Sequence, residues 1–244
     1  MFKRSLFFLL LTISTLLANI STLEEITGVS SQDWIQSGDR WTFEELFEDK
    51  RDQILPVLES MGVFEDKLAQ KNRYDCAMVL GSLHASVERR FTHLIDEWNR
   101  GVRLEKVIFL TGQRPLHIEK EKEFLHLESE TAMMVWTWSH MDIPEDLRAL
   151  SLEIIDAPAL PGGGRPTTES TVYAYLETNP IPGSLLIFSC QPYVEYQKVI
   201  LQLLLPSNFE IEAVGPAGGR NLPTSVLLDT QGKQYSFKHR KFSR

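Results

Sequence analysis

Four short apolar segments of this chain are each followed by glycine, hydroxyl or charged residues, the residue types that bind small polar molecules. Each segment has the length of a buried parallel strand, and a helical pattern follows it. Because parallel strands place their carboxyl ends along one side of a sheet, we expect the residues that follow them to lie close together. The candidate ligand-binding residues are Gly81, Ser82, Arg90, Gly112, Glu130, Gly163, Thr167, Glu169, Ser189 and Tyr193.

Two of these candidates, Glu130 and Glu169, are carboxylates near the N-termini of predicted helices. A carboxylate at that position stabilises the helix dipole and binds free backbone amides, so capping is the simpler role. If the two carboxylates converge, they could instead act as an acid and base pair, bind hydroxyl groups or hold a divalent ion. The sequence leaves both interpretations open. The six histidines show no metal-ligand spacing, so no metal site is predicted from them.

The glycine-rich segment Gly162–Arg165 raises the question of phosphate binding, because such loops often precede an anion site at a helix N-terminus. It is not a P-loop, since no Gly-Lys-Ser/Thr follows, and Thr167 occupies the third glycine position of the dinucleotide fingerprint. Pro166 and Thr167 would still begin a helix with free amides. Two interpretations remain, a plain loop and a loop that contacts a ligand.

The possible nucleophiles are Ser189 and Cys190, which follow the fourth apolar segment. No base is evident beside them, and neither residue lies in a Gly-x-Ser-x-Gly motif. The only other cysteine is Cys76. Two cysteines are too few to indicate a disulfide framework or a zinc site, so both are predicted to be core or near-core thiols.

The order of strand and helix patterns predicts the fold class. Predicted strands at 75–81, 106–112, 151–158, 184–190 and 209–215 alternate with predicted helices at 86–101, 128–141, 167–178 and 193–205. This alternation predicts an α/β, Rossmann-like three-layer fold with a mostly parallel sheet. Residues 71–244 are assigned to that domain and residues 21–70 to an N-terminal helical extension.

Two local patterns at the ends of these regions carry more detailed predictions. Thr42 followed by Glu45 reads as a capping box that opens a helix ending near Gly62. Near the C-terminus, residues 225–238 read as a β-hairpin that turns around Gly232.

The N-terminal segment, residues 1–20, has the pattern of a secretory signal. Two basic residues precede an apolar run from Leu6 to Leu17, which is short for a bilayer span of roughly 20 residues. We therefore predict export, with the segment either a cleaved signal peptide or an anchor that holds the protein on the periplasmic side. Membrane contact is expected through this segment. The formal net charge of −8 argues against a nucleic-acid partner.

The motifs between Tyr74 and Gly215, taken in order, resemble the SanA/ElyC/YdcF family. The matching pieces are an Asp-led strand ending in Leu-Gly (Asp75–Gly81), an Arg in the next helix (Arg89 or Arg90), a Thr-Gly strand end (Thr111–Gly112), a Ser-Glu-Thr helix start (Ser129–Thr131) and a Thr-x-Glu motif (Thr167–Glu169). Three positions depart from the family pattern. Ser170 stands where Asn is usual, Tyr193 replaces His and Tyr196 replaces Arg.

The resemblance implies a Rossmann-like domain in an exported or membrane-anchored protein of the bacterial envelope, linked to envelope polysaccharide assembly. One branch of the family binds S-adenosylmethionine, so that molecule is a candidate cofactor. Because S-adenosylmethionine is scarce outside the cytoplasm, the predicted export argues against it. The family's catalytic chemistry is not established, so the resemblance leaves open whether this chain is an enzyme.

The sequence therefore leaves two functions open. In the first, a small anionic or nucleotide-like ligand, such as an envelope precursor, binds across the strand ends, where Arg90 pairs with an acid. In the second, the chain is a non-catalytic envelope interaction module whose site has degenerated. The first function requires Glu130, Glu169 and Tyr193 to face one cleft.

Overall fold

The computed structural model of this chain describes residues 18–162 and 164–242. It contains two compact units, one formed by residues 66–217 and the other by the described residues of 1–65 and 218–244. This division differs from the one made on the sequence, which assigned 71–244 to a single domain. Most of the predicted signal segment, residues 1–17, lies outside the described residues. In the described part of the chain, no helix is long and apolar enough to cross a membrane.

Secondary structure follows the predicted alternation throughout the unit of residues 66–217. In chain order its elements are β1 (Arg73–Leu80), α3 (His84–Asn99), β2 (Arg103–Gly112), α4 (Glu130–His140), α5 (Glu145–Arg148), β3 (Ser151–Ala157), α6 (Thr168–Glu177), β4 (Ser184–Phe188), α7 (Val194–Leu204) and β5 (Glu210–Val214).

The five strands form one parallel sheet in the order β3-β2-β1-β4-β5. Helices α3 and α4 pack on one face, where Phe91 and Met133 join the core, and α6 and α7 pack on the other, with Val172 and Leu201. The predicted α/β, Rossmann-like three-layer fold is confirmed. The central strands β1, β2 and β4 contain apolar runs because both faces of the sheet are covered there, whereas the outer strands β3 and β5 also contain acidic residues.

The second unit contains helices on both sides of the first unit in sequence. Residues 18–27 form helix α1, Arg51–Ser60 form α2, and Thr224–Phe242 form α8. Their shared core consists of buried aliphatic and aromatic side chains, among them Ile20, Leu23, Trp34, Ile54, Leu58, Leu227 and Leu228. The C-terminal segment is therefore part of this unit's core.

Two local predictions are wrong in this unit. The predicted hairpin at 225–238 is helix α8, because Leu227 and Leu228 face the same core and Gly232 lies within the helix. The predicted capping box at Thr42 does not open a helix. Thr42 ends a short 3-10 turn, its hydroxyl donates to the Asp39 carbonyl, and α2 begins only at residue 51. The predicted stop at Gly62 is confirmed by its φ of +67°.

Gly232 is expected to be essential to the stability of this unit, although glycine is an unfavourable residue inside a helix. A Cβ at this position would lie 2.5 Å from the Ser31 carbonyl oxygen and 3.2 Å from Ile35 Cγ1. Replacing a helical glycine by alanine ordinarily stabilises a helix by about 0.5–1 kcal/mol. Here we expect Gly232→Ala to lower the free energy of unfolding, as measured by urea denaturation. An increase would show that the helix moves away from Ser31 at little cost.

Candidate functional site

The carboxyl-terminal ends of β1 and β4 mark the point where the chain topology reverses. The strands are neighbours, but the helices that follow them, α3 and α7, lie on opposite faces of the sheet. Ligands of open parallel sheets bind at such a switch point, because the two diverging loops leave a crevice between them. We call this region, residues 81–83 and 189–193, the switch site. Four predicted site residues lie in it: Gly81, Ser82, Ser189 and Tyr193.

A fifth predicted residue, Arg90, reaches the switch site from α3 and is only 1% exposed. Its Nη1 donates to the carbonyl oxygens of Leu80, at 2.5 Å, and Gly81, at 2.8 Å. Its Nη2 lies 3.7 Å from the sulfur of Cys190, so the guanidinium joins the ends of β1 and β4. Its Nε has no hydrogen-bond partner.

The charge of Arg90 has no counter-ion within the residues that the structure describes, since no carboxylate lies within ion-pairing distance of its guanidinium. A buried charge is costly unless it is paired. Carbonyl oxygens and a thiol satisfy part of the hydrogen bonding of the guanidinium but do not neutralise it. The switch site therefore contains a buried positive charge without a direct ion-pair partner among the described residues.

The two helices that begin at the switch site receive no side-chain cap from the residue that precedes them. Leu83 precedes α3 and Tyr193 precedes α7, and neither side chain accepts a hydrogen bond from its helix. By contrast, Ser129 caps α4 and Thr167 caps α6. The N-terminal end of a helix carries partial positive charge. At α3 this charge already meets an anion, because the first amide of the helix, that of His84, donates to the Glu121 carboxylate at 3.0 Å. Helices α3 and α7 thus both begin at the site that Arg90 reaches.

A second polar group lies beside the switch site, at the end of β2. Arg114 donates from Nε to Glu130 at 2.7 Å and from Nη1 and Nη2 to Glu121 at 2.8 and 2.9 Å. Its Nη2 also donates to the Ser82 carbonyl at 3.2 Å, which links the group to the switch site. All three charged residues are at least nine-tenths buried. We call Arg114, Glu121 and Glu130 the ion cluster.

The ion cluster fixes the charge of its members. Burial alone would raise the pKa of the Glu121 carboxyl, but hydrogen bonds from Arg114 and from the His117 amide hold this pKa below its ordinary value. Burial alone would lower the pKa of Arg114, but the two carboxylates raise it above its ordinary value. With Arg114 positive, two carboxylates share one guanidinium. The cluster therefore has an excess of negative charge.

Close packing explains why two of the predicted site residues, Gly81 and Gly112, are glycines. A Cβ at Gly81 would overlap the Glu130 carboxylate and lie 3.1 Å from Thr111 Oγ1. A Cβ at Gly112 would lie 2.6 Å from Pro166 Cγ and 2.9 Å from the Ala157 carbonyl oxygen. Both glycines were expected to let a ligand approach the backbone. In the structure, other protein atoms already occupy the space next to the Cα atom of each glycine.

The glycine-rich loop after β3 closes on itself. The Leu160 amide donates to the Gly164 carbonyl at 2.7 Å, and Gly162 has a φ of +81°, as a tight turn requires. Gly163, a predicted ligand residue, lies outside the described residues. The N-terminus of α6, the helix that follows, is capped, because Thr167 and Ser170 form a reciprocal capping box. Ser170 thus has a structural role at a position where Asn is usual in the family that the sequence resembles.

The predicted carboxylate pair does not form. Glu130 bonds to Arg114 and Thr111, whereas the Glu169 side chain has no hydrogen bond or ion pair with any residue that the structure describes. Glu169 follows β3 and Tyr193 follows β4, and two strands separate β3 from β4. At the usual strand spacing that separation is about 14 Å. The nine described candidates therefore divide among four strand ends, and only those at β1 and β4 share the switch site.

The predicted nucleophiles are not exposed. Ser189 is fully buried, and its hydroxyl donates to Oε1 of Gln197. Cys190 is 2% exposed. Cys76 lies within β1, where burial raises the pKa of its thiol to about 11. Both cysteines are buried and free of disulfides, so their prediction as core thiols is confirmed.

Asp75, which leads the first strand in the family-like pattern, lies at the end of β1 opposite to the switch site. Its carboxylate accepts hydrogen bonds from the amide and the hydroxyl of Ser184, at 2.6 and 2.7 Å. These bonds, the backbone bond first, lower the pKa of Asp75. The carboxylate joins the amino ends of β1 and β4, so its role here is structural.

Sequence reasoning did not identify the pairing of Arg114 with Glu121. Glu121 lies in the loop between β2 and α4 and also accepts hydrogen bonds from the backbone amides of His84, at 3.0 Å, and His117, at 2.6 Å. No motif marks Glu121 as a buried residue. The one signal in the sequence was the position of Arg114, which closely follows a predicted strand and precedes a long loop.

Neither metal-site geometry nor relatives add to this description. In the described ranges, 18–162 and 164–242, no group of three or more His, Cys, Asp or Glu side chains could hold a metal ion. In comparisons with known proteins, no family model, no curated protein and no solved structure matched the chain.

Proposed function

We propose that the unit of residues 66–217 binds a small anionic or nucleotide-like ligand at the switch site alone. The broader form of this function, which required Glu130, Glu169 and Tyr193 to face one cleft, is not retained, because Glu169 and Tyr193 follow strands that are not neighbours. The observation that carries this proposal is Arg90, a buried cation without a carboxylate partner among the described residues, at the ends of β1 and β4. A bound anion would supply the missing negative charge. Because Arg90 is only 1% exposed, it acts mainly through its electric field, which low polarity around it strengthens.

The helices around Arg90 add to the same field. Each helix N-terminus is equivalent to roughly half a positive charge, and α3 and α7 both begin at the switch site. Because the Glu121 carboxylate already accepts from the first amide of α3, the N-terminus of α7 contributes more of the field that a ligand would meet. Backbone amides at such a terminus can bind phosphate or carboxylate oxygens directly. The Ser82 hydroxyl lies in the same loop and can donate a further hydrogen bond.

The ion cluster limits what else the ligand can carry. Its excess negative charge lies next to Gly81, so a second anionic group on that side of the site would be repelled. A hydroxyl group could instead donate to Glu130. The ligand that fits best has one compact anionic group near Arg90 and the N-terminus of α7 and a neutral, hydroxyl-bearing part towards β2. A sugar phosphate, a nucleoside monophosphate or an amino-acid conjugate has this form.

The biological setting remains a proposal that rests on the sequence. The signal-like segment and the resemblance to the SanA/ElyC/YdcF family support an exported protein of the cell envelope that acts on or binds a precursor of envelope polysaccharide. S-adenosylmethionine also has one carboxylate and ribose hydroxyls, so it belongs among the ligands to test. Its scarcity outside the cytoplasm still argues against it as the natural ligand.

The test is thermal unfolding of the full-length protein with nucleotides, nucleotide sugars, sugar phosphates, S-adenosylmethionine, undecaprenyl phosphate analogues and divalent ions. A ligand at 100 times its dissociation constant should stabilise the protein by about 2.7 kcal/mol. We expect Arg90→Met to abolish that shift and Arg148→Met, at a surface arginine on α5, to retain it. Glu169→Ala should also retain it, since Glu169 lies at the end of β3.

A second function, a non-catalytic interaction module, is favoured by a different observation. Glu130 is already paired with Arg114 and Ser189 with Gln197, so neither side chain is free to take part in a reaction. In this case no compound of the panel would shift the unfolding of a well-folded sample. A shift that survives Arg90→Met but is lost in Glu169→Ala would contradict both the switch site and this alternative.

A further inference from the structure

The two outer strands of the sheet differ in how their free sides are protected. Next to β5, Lys67 and Gly215 form an antiparallel bridge, with N–O distances of 2.9 and 3.0 Å, and the Gln70 amide donates to the Glu212 carboxylate. Strand β3 pairs with β2 on one side only. On its other side, no residue that the structure describes hydrogen-bonds to its backbone. Backbone groups on a free strand edge form a template for another strand.

The side chains near this free edge are apolar. Leu152 and Ile154 are 39% and 41% exposed, and their register with Val107 and Phe109 places them on the sheet face that α3 and α4 cover. Soluble proteins usually protect a free edge with lysine, proline or a bulge. Strand β3 contains neither lysine nor proline, and one of its two acids, Glu153, is paired with Lys106.

Helix α4 extends the same apolar surface. The Thr131 hydroxyl donates to Asp156 at 2.6 Å, which fixes the start of α4 beside the end of β3. Val135 is one helical turn further along, on the same side of the helix as Thr131, and is 38% exposed. We call Val135, Leu152 and Ile154, with the free side of β3, the edge surface.

We propose that two copies of this chain pair through the edge surface, with their β3 strands antiparallel around a two-fold axis at Ile154. In this register Ile154 faces its own copy, Leu152 faces Asp156 and Glu153 faces Ile155, so no two like charges are opposed. A register centred on Glu153 would place two carboxylates opposite each other, which destabilises a strand pair. The edge surface is thus complementary to itself, as an isologous dimer interface requires.

Sedimentation equilibrium over a range of protein concentrations tests this pairing. We expect the native protein to form a dimer and Ile154→Lys to be a monomer with an unchanged circular dichroism spectrum, since Ile154 is already 41% exposed. The matched control is Ile181→Lys, at a loop residue that is 90% exposed, which should remain a dimer. A native protein that is monomeric throughout, or an Ile154→Lys dimer, would overturn the proposal.

Disulfide cross-linking tests the register. In the proposed pair the two Cα atoms of residue 154 would be about 4.5–5.5 Å apart, within the range that a disulfide spans. Ile154→Cys should therefore cross-link on mild oxidation. Leu152→Cys should not, because its two copies would be four residues out of register, about 13 Å apart. Both native cysteines are buried. Equal cross-linking of the two variants, or none in either, would contradict the two-fold axis at Ile154.

Discussion

Replacing Arg114 with leucine is expected to destabilise the unit of residues 66–217 by about 3–5 kcal/mol, the usual cost of breaking a buried ion pair from one side. The substitution removes the partner of Glu121 and Glu130, which are 2% and 9% exposed. Both carboxylates would then lie close together without a counter-charge. It also releases the Ser82 carbonyl and the loop that contains Glu121. Urea denaturation measures the change.

The pH dependence of this effect separates charge from packing. In the native protein the pKa of Glu121 lies below its ordinary value of 4.5, so its stabilising contribution is present above that pH and is lost as the pH falls through the lowered pKa. Without Arg114, burial is opposed only by the amides of His117 and His84, so this pKa rises from its native value and the ionised carboxylate stabilises the fold less. The difference in stability between native protein and Arg114→Leu should therefore shrink in acid. A difference that stays constant with pH would mean that lost packing causes it.

A matched control for this variant is Lys106→Leu. Lys106 pairs with Glu153 at 2.8 Å, but both side chains are 34% exposed. Pairs of this kind contribute about 0–1 kcal/mol. We expect the loss of stability of this variant to lie within that range. A large loss would show that replacing a cation of this unit by leucine is harmful even where no buried ion pair is broken.

The sequence predicts the fold of the 66–217 unit well for a physical reason. The central strands β1, β2 and β4 are buried on both faces over most of their length and contain apolar runs, and each of the five strands is followed by a turn signal. Length and composition therefore identify them. Parallel pairing and alternating helices then restrict the topology to very few arrangements. The wrong predictions lie in the other unit. A glycine in residues 225–238 suggested a turn, whereas Gly232 lies within a helix that approaches the Ser31 carbonyl.

The site could be predicted only in part. Being next to a strand end placed Gly81, Ser82, Ser189 and Tyr193 correctly, because all parallel strands end on one side of the sheet. Strand order in space is not written in the local sequence, so the separation of Glu169 from the switch site could not be foreseen. The role of Arg90 depends on which groups are absent around it. Local patterns carry no information about an absent counter-ion.

The second large effect is expected at Gly81. A methyl group there overlaps the Glu130 carboxylate, which Arg114 and Thr111 hold in place. Overpacking of this kind costs about 1–3 kcal/mol, and the displaced carboxylate would also weaken its bond to Arg114. We therefore expect Gly81→Ala to lower the free energy of unfolding by that amount or more. The substitution should also weaken the binding of any ligand at the switch site, because Gly81 belongs to the loop of residues 81–83.

A double-mutant cycle identifies the cause. If the overlap with the carboxylate is responsible, adding Gly81→Ala to Glu130→Ala should cost far less than adding it to the native protein, because the methyl group then enters vacated space. Gly112→Ala is the matched control. Its methyl group meets Pro166 and the Ala157 carbonyl instead, so Glu130→Ala should give no rescue. Equal costs of Gly81→Ala in both backgrounds would mean that the loop, and not the ion cluster, requires glycine at this position.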